Sequence, residues 1–174
     1  MEAVRAAAAA DLPRCVELVT EASLAADSAR GGRLLATLGG FGGLGAGAGA
    51  GAAAGVGTAL VDPGQLVGGW LGAGTTTSST LLVGTIDDVV VGLAAGTVVS
   101  GDRTVGRIEC CYVEPAARGV GVGSGLVTAL VAWFGERECS DVDALALPGD
   151  RSMKQLLEAT GFKTRLLVLH RSPS

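Results

Sequence analysis

The sequence predicts an α/β fold with a mixed, mostly antiparallel central sheet flanked by helices, and three observations carry that expectation. Two runs of β-branched residues meet at Asp87-Asp88, which reads as a hairpin. A strand signal ending near Val113 passes through a glycine run into a strongly amphipathic segment. The whole order is helix, hairpin strands, strand, helix, strand, helix, strand, so helices alternate with strands only in the second half.

Asp11 is a good N-cap with Pro13 in the first turn, and Leu12, Val16, Val19 and Leu24 supply an apolar stripe for a helix to about Ala26. Leu81 to Ile86 and Val89 to Val99 are the hairpin strands, and Asp102-Arg103 turns the chain into a third strand, Arg107 to Val113. Val122, Leu126, Leu130 and Phe134, with Val127 and Val131, recur at helical spacing to about Glu138. Val142 to Leu147 reads as a strand broken by Pro148-Gly149, Arg151 to Thr160 as a short helix closed by Gly161, and Leu166 to His170 as a last strand.

At 174 residues the chain fits one domain, residues 1–174, long enough to bury about two-thirds of its unfolded surface. Gly supplies 29 residues, more than twice the usual ~7%, and aromatics only 3%. Both trace largely to one stretch: from Leu34 to Ile86 the only charged residue is Asp62, and Gly39 to Gly57 is almost all Gly and Ala. Glycines at 39, 43, 47, 51 and 55 follow a small-xxx-small spacing, which a membrane helix would use, but an alternating Gly-Ala tract produces that period mechanically. Gly and Ala add little insertion energy, and no Lys/Arg cluster or aromatic belt flanks the tract. It reads as a low-complexity loop or loosely packed helix, and a membrane partner is not expected.

Thirteen basic against seventeen acidic residues argue against nucleic acid or an anionic membrane surface as a partner. Cys15, Cys110, Cys111 and Cys139 form no C-x-x-C pair and read as reduced thiols, which together with an N-terminus too short and too early-charged for a secretory segment gives a cytoplasmic expectation. His170 is the single histidine and has no Cys or carboxylate cluster around it in sequence, so no metal is expected. Trp70 and Trp133 read as packing residues. Assembly as a homodimer is left open.

The chemistry is concentrated at Arg118-Gly119-Val120-Gly121-Val122-Gly123, where a strand gives way to a helix. Backbone N–H groups at a helix N-terminus lack intrahelical partners and the helix dipole favours negative charge. Glycines there remove the Cβ atoms that would hold a pyrophosphate away, and Arg118 can add charge-assisted bonds. G-x-G-x-x-G fails because positions 124 and 126 are Ser124 and Leu126, and a P-loop fails because no Lys lies between Arg107 and Lys154. What remains is R-x-x-G-x-G preceded by Tyr112-Val113-Glu114-Pro115. This pattern resembles the signature of the GNAT superfamily of acetyl-CoA-dependent N-acetyltransferases, a strand ending in V-x-P followed by Q/R-x-x-G-x-G/A. The run from Asp150 to Phe162 is similar to that family's second motif, and the two together cover about Leu81 to Arg171.

The resemblance implies that the strand ending at Val113 and the strand Val142 to Leu147 splay apart, with the pantetheine arm of acetyl-CoA between them. Main-chain groups of Cys111, Tyr112 and Val113 would pair with the arm, and an N–H at or beside Val113 would polarise the thioester carbonyl as an oxyanion contact. It further implies that the N–H groups of Val120, Gly121, Val122, Gly123 and Ser124 hold the pyrophosphate, and that Asp150 and Lys154 contact the arm or the adenine end. The acceptor amine must lose a proton, and Glu109, expected on one strand face with Cys111 and Val113, is the best-placed base. Many members use a Tyr of the second motif to protonate the leaving thiolate; here that position is Leu157, which leaves water, Cys111 or Tyr112 as the acid. The implied activity is direct acetyl transfer to a primary amine. The rival readings are a non-catalytic acyl-CoA-binding module and a membrane-associated protein anchored by the Gly/Ala tract.

Overall fold

In the computed structural model the described residues are 1–28, 62–72 and 78–166. Their central sheet has five strands in the order β1-β2-β3-β4-β5: β1 (Glu2–Ala6), β2 (Ser79–Ile86), β3 (Val89–Ser100), β4 (Thr104–Val113) and β5 (Asp141–Ala144). All neighbours are antiparallel except β4 and β5, which run parallel. Helices α1 (Leu12–Ser28) and α2 (Pro63–Gly72) cover one face, and α3 (Val122–Gly135) and α4 (Arg151–Ala159) the other. The expected mixed, mostly antiparallel sheet with flanking helices is therefore present.

The hairpin turns as expected. Asp87 and Asp88 both take positive φ, 47° and 65°, which matches a two-residue turn to the twist of the strands it joins. Asp11 does not cap the first helix as expected: it ends the 3-10 turn Ala9–Asp11 just before that helix, and its carboxylate is drawn backward, accepting the Ala8 N–H at 2.8 Å and pairing with Arg5 at 2.6 Å.

Two elements escape a reading of local pattern. Strand β1 is short and exposed at nearly every position, so it carries no alternation; it is a strand because β2 lends it hydrogen bonds in register from Glu2↔Ile86 to Ala6↔Leu82. Helix α2 lies in the charge-poor stretch and has ordinary helix signals that the surrounding low complexity masks. Asp62 accepts the Gln65 N–H at 3.0 Å, Pro63 opens the helix, and Leu66, Val67 and Trp70 bury against α1 and β2. Trp70 is thus a packing residue, as is Trp133 beside Phe134. The tract 39–57 and the expected strand beyond Leu166 lie outside the described residues, and Leu166 itself is not in a strand.

Glycines decide how close α3 approaches the sheet. A Cβ on Gly84 would stand 2.5 Å from Val122, one on Gly96 2.7 Å from Phe134, and one on Gly106 2.5 Å from Phe134. Three strands thus present bare backbone to one helix face, on which Val122, Leu126, Val127, Leu130 and Phe134 are buried. Part of the glycine excess is therefore architectural. Gly106→Val should lower unfolding free energy by about 2 kcal/mol, the usual scale of overpacking, with the loss seen as a lower melting temperature and no specific effect on ligand affinity.

Candidate functional site

The parallel pairing of β4 with β5 runs only from Val105↔Asp141 to Ile108↔Ala144. Beyond it the strands part, and β5 stops at Ala144 rather than continuing to Leu147 as expected from its apolar sequence. Residues 109–113 of β4 and 144–150 after β5 become the two walls of one cleft of about 1080 Å³, with Ala22, Ala25 and Ala26 of α1 at its side.

The pairing on the other edge of β4 shows which main-chain groups face this gap. Glu114 donates its N–H to Val91 C=O at 3.0 Å, so alternate residues Tyr112 and Glu114 turn their N–H groups toward β3. Those of Cys111 and Val113 then turn toward the parted strand. The Val113 carbonyl on that side accepts Arg118 Nε at 2.8 Å, and the guanidinium lies 5.6 Å from the Tyr112 ring centre. Arg118 is thus folded back along the end of β4.

A β-bulge sets the direction of Glu109. Ala95 pairs with Cys110 but Gly96 pairs with Ile108, so Glu109 is an extra residue with no partner on β3. Ile108, Cys111 and Val113 pack with the α3 cluster, whereas Cys110 and Tyr112 pack with the α1 cluster. Strict alternation cannot hold across such a strand. The expectation that Glu109 shares a face with Cys111 and Val113, opposite Tyr112, is therefore corrected: Glu109 lies by Thr97 and Arg107, on the α1 side with Tyr112.

Glu109 is only 5% exposed, and neither carboxylate oxygen has a hydrogen-bond partner. Burial pushes its pKa up from 4.5 to about 7; the Arg107 charge and the nearby Thr97 hydroxyl draw it down only in part. Thr97 is close enough to act on the charge without meeting hydrogen-bond geometry, its hydroxyl being 3.2 Å from that of Ser79. A buried carboxylate left without partners at a cleft wall is costly to folding and points to chemistry.

At the cleft mouth Gly119 and Gly121 take φ of 85° and 97°, the left-handed region that favours glycine. Gly121 is the N-cap of α3, and the first bond of the helix runs from Gly125 N–H to Gly121 C=O at 2.9 Å. The N–H groups of Val122, Gly123 and Ser124 precede that bond and have no intrahelical partner. A Cβ on Gly119 or Gly121 would meet nothing within 4 Å. Gly123 is different: a Cβ there would stand 3.3 Å from Leu156 of α4, so its glycine serves helix packing rather than anion approach.

The remaining expected contacts divide. Asp150 lines the cleft, but its carboxylate caps α4, accepting the Met153 N–H at 2.9 Å and the Ser152 hydroxyl at 3.2 Å. Lys154 is exposed, pairs with Glu158 at 3.6 Å, and does not line the cleft. The Val120 side chain is half exposed outside it, and that of Val122 is core. The alanine wall of α1 had no sequence signal, because nothing marks which face of a helix a distant strand will meet. Burial pushes the Cys111 thiol up to about 12, and Cys110 higher still, so neither is a nucleophile at neutral pH. Among the described residues no three His, Cys, Asp or Glu side chains form a metal-binding group.

The α/β fold thus presents a sheet parted at one parallel pair, with a glycine-turned helix N-terminus at the mouth of the gap. The family profile described as Acetyltransferase (GNAT) family matches residues 62–162, and the chain belongs to that family. No curated protein matches it in sequence. Its fold is similar to that of AAC(6')-Iy in complex with the bisubstrate analog CoA-S-monomethyl-acetylneamine, at 15% identity, TM-score 0.65, covering 100% of this chain and 99% of that one. It is also similar to a predicted acetyltransferase with acetyl-CoA from Clostridium acetobutylicum, at 14% identity, TM-score 0.66, covering 99% and 96%. A third similar fold is a mutant of the BH1408 protein from Bacillus halodurans, at 13% identity, TM-score 0.69, covering 99% of each chain.

Proposed function

We propose that residues 1–174 act as a single cytoplasmic domain that moves an acetyl group from acetyl-CoA directly to a primary amine. The observation that carries this reading is the buried, unpartnered Glu109 in the wall of a cleft whose mouth is an anion-competent helix N-terminus. Two similar folds have acetyl-CoA or a coenzyme A bisubstrate analog in their complexes, which supports the choice of donor.

In this reading the N–H groups of Val122, Gly123 and Ser124 hold the pyrophosphate and the Cys111 and Val113 main chain pairs with the pantetheine arm. Glu109 takes a proton from the acceptor ammonium, directly or through a water, and the freed amine attacks the thioester carbonyl. The Val113 N–H stabilises the oxyanion, the C–S bond breaks, and the departing thiolate takes up, through solvent, the extra proton left on the attacking nitrogen, giving the neutral amide and the coenzyme A thiol. With both cleft cysteines held as neutral thiols, transfer without an acyl-enzyme is favoured. Since Glu109 works only when ionised, kcat/KM should rise with pH through about 7, its pKa in the folded protein. A pH profile of thioester consumption with a panel of amines tests this.

A second reading, a module that binds acyl-CoA without turnover, is favoured by Leu157, which is 7% exposed and offers no proton to a thiolate where many relatives have Tyr. Coenzyme binding without amine-dependent thioester consumption would establish it. In the membrane-anchored alternative the Gly/Ala tract would be the span; among the described residues no helix is long and apolar enough to cross a membrane. Shortening Gly45 to Ala54 is expected to leave acetyl-CoA affinity nearly intact and to change mainly the acceptor KM, since loop-length changes cost only slowly growing entropy. Loss of folding on that deletion would count against a loop over the acceptor.

A further inference from the structure

On the α1 side, beside the lining residue Tyr112 but not itself lining the cleft, stands a second carboxylate that the transfer step does not use. Glu21 of α1 accepts the Tyr112 hydroxyl at 3.1 Å, reaching across from helix to strand. Because the bulge at Glu109 turns that residue to the same side as Tyr112, both carboxylates lie on the α1 side of the sheet. To the cleft α1 offers only Ala22, Ala25 and Ala26, small side chains that leave room for an extended alkyl chain.

Among the described residues, two of the cations on this side are engaged elsewhere. Arg118 is held by the Val113 carbonyl and the Tyr112 ring, Arg14 by Glu17, Glu114 and the Val90 carbonyl, while Arg107 acts on Glu109 without hydrogen-bonding it. Glu109, 5% exposed with both oxygens unpartnered, is an independent sign that a cation is received here.

We propose that the acceptor carries at least two amino groups, one delivered to Glu109 and a distal one held at the rim by the Glu21 carboxylate that the Tyr112 hydroxyl pins in place. This rests on the acetyl-transfer reading above. Glu21 is then a specificity-determining residue: it acts on substrate choice by charge and takes no part in the proton transfer.

The test is a charge series at the far end of one four-carbon amine, using the whole chain with acetyl-CoA: 1,4-diaminobutane, 4-aminobutanol and 4-aminobutyrate. The diamine should exceed the amino alcohol by about fivefold in kcat/KM, the ratio that one partly exposed ion pair of about 1 kcal/mol supplies, and the amino acid should be poorest. The difference should lie in KM and shrink at high salt. Glu21 is exposed on the helix surface, so the fold tolerates its replacement. Glu21→Gln should flatten the series, Glu21→Lys should invert it, and Glu21→Asp should keep part of the preference. A flat series in the wild type, or an unchanged one in Glu21→Gln, overturns the proposal while leaving acetyl transfer standing. If acetyl-CoA binds and no amine of the series is acetylated, the transfer reading fails and this one falls with it.

Discussion

Glu109→Gln is expected to lower kcat by about 10² to 10⁴-fold at pH 7, the usual contribution of a positioned general base, with little change in acetyl-CoA affinity. An alkylammonium with a pKa of about 10 is almost fully protonated at neutral pH and cannot attack a thioester. Gln keeps the shape and removes the proton acceptor, so activity should recover partly at high pH, where free amine accumulates. The same substitution has a thermodynamic signature. Because the folded pKa of about 7 lies above the ordinary 4.5, the folded state holds its proton after the unfolded state has lost it. Wild-type stability should therefore fall as pH rises from 4.5 to about 7, by on the order of 3 kcal/mol at full ionisation, and the Gln variant should lack that fall. Melting curves across that range, beside kcat profiles, read both effects. A variant with wild-type kcat at every pH would return Glu109 to a structural role and assign the deprotonation to solvent or another group.

Gly121→Asp should reduce acetyl-CoA affinity at least ~100-fold while the protein still folds. The N-cap of α3 sits at φ 97°, where a side chain is strained by about 1–2 kcal/mol. No neighbouring atom blocks a Cβ, so the cost stays local. The introduced carboxylate would stand against the N–H groups of Val122, Gly123 and Ser124, satisfy them intramolecularly, and repel a pyrophosphate. Gly121→Ala separates the two causes, since it carries the strain without the charge and should lose far less affinity. Calorimetric titration of both variants with acetyl-CoA decides the matter; unchanged binding in Gly121→Asp would mean that this loop is not the anion cradle.

What the sequence by itself determined is what local chemistry decides. The two-aspartate hairpin turn, the apolar face of α3 and the glycine-turned N-terminus of that helix all follow from residue type at fixed spacing, and with them the family. Even the capping of α2 by Asp62 and Pro63 was written locally, though the Gly/Ala-rich surroundings hid it.

Only the tertiary structure decided the features that depend on a partner strand. Strand β1 exists because β2 receives it. Strand β5 ends at Ala144 because β4 leaves it there, although Leu145 to Leu147 continue the apolar pattern. The bulge that turns Glu109 toward Tyr112 and α1 is a mismatch between two strands, Ala95↔Cys110 beside Gly96↔Ile108, and no single strand records it. A period of two assigns faces correctly only while the ladder is unbroken, because one inserted residue reverses the parity of everything beyond it. For the same reason the missing Cβ of Gly123 looked like room for an anion until Leu156 was seen against it, and Glu21, 91 residues from Tyr112 in sequence, could be placed beside it only by the packing of α1 on β4.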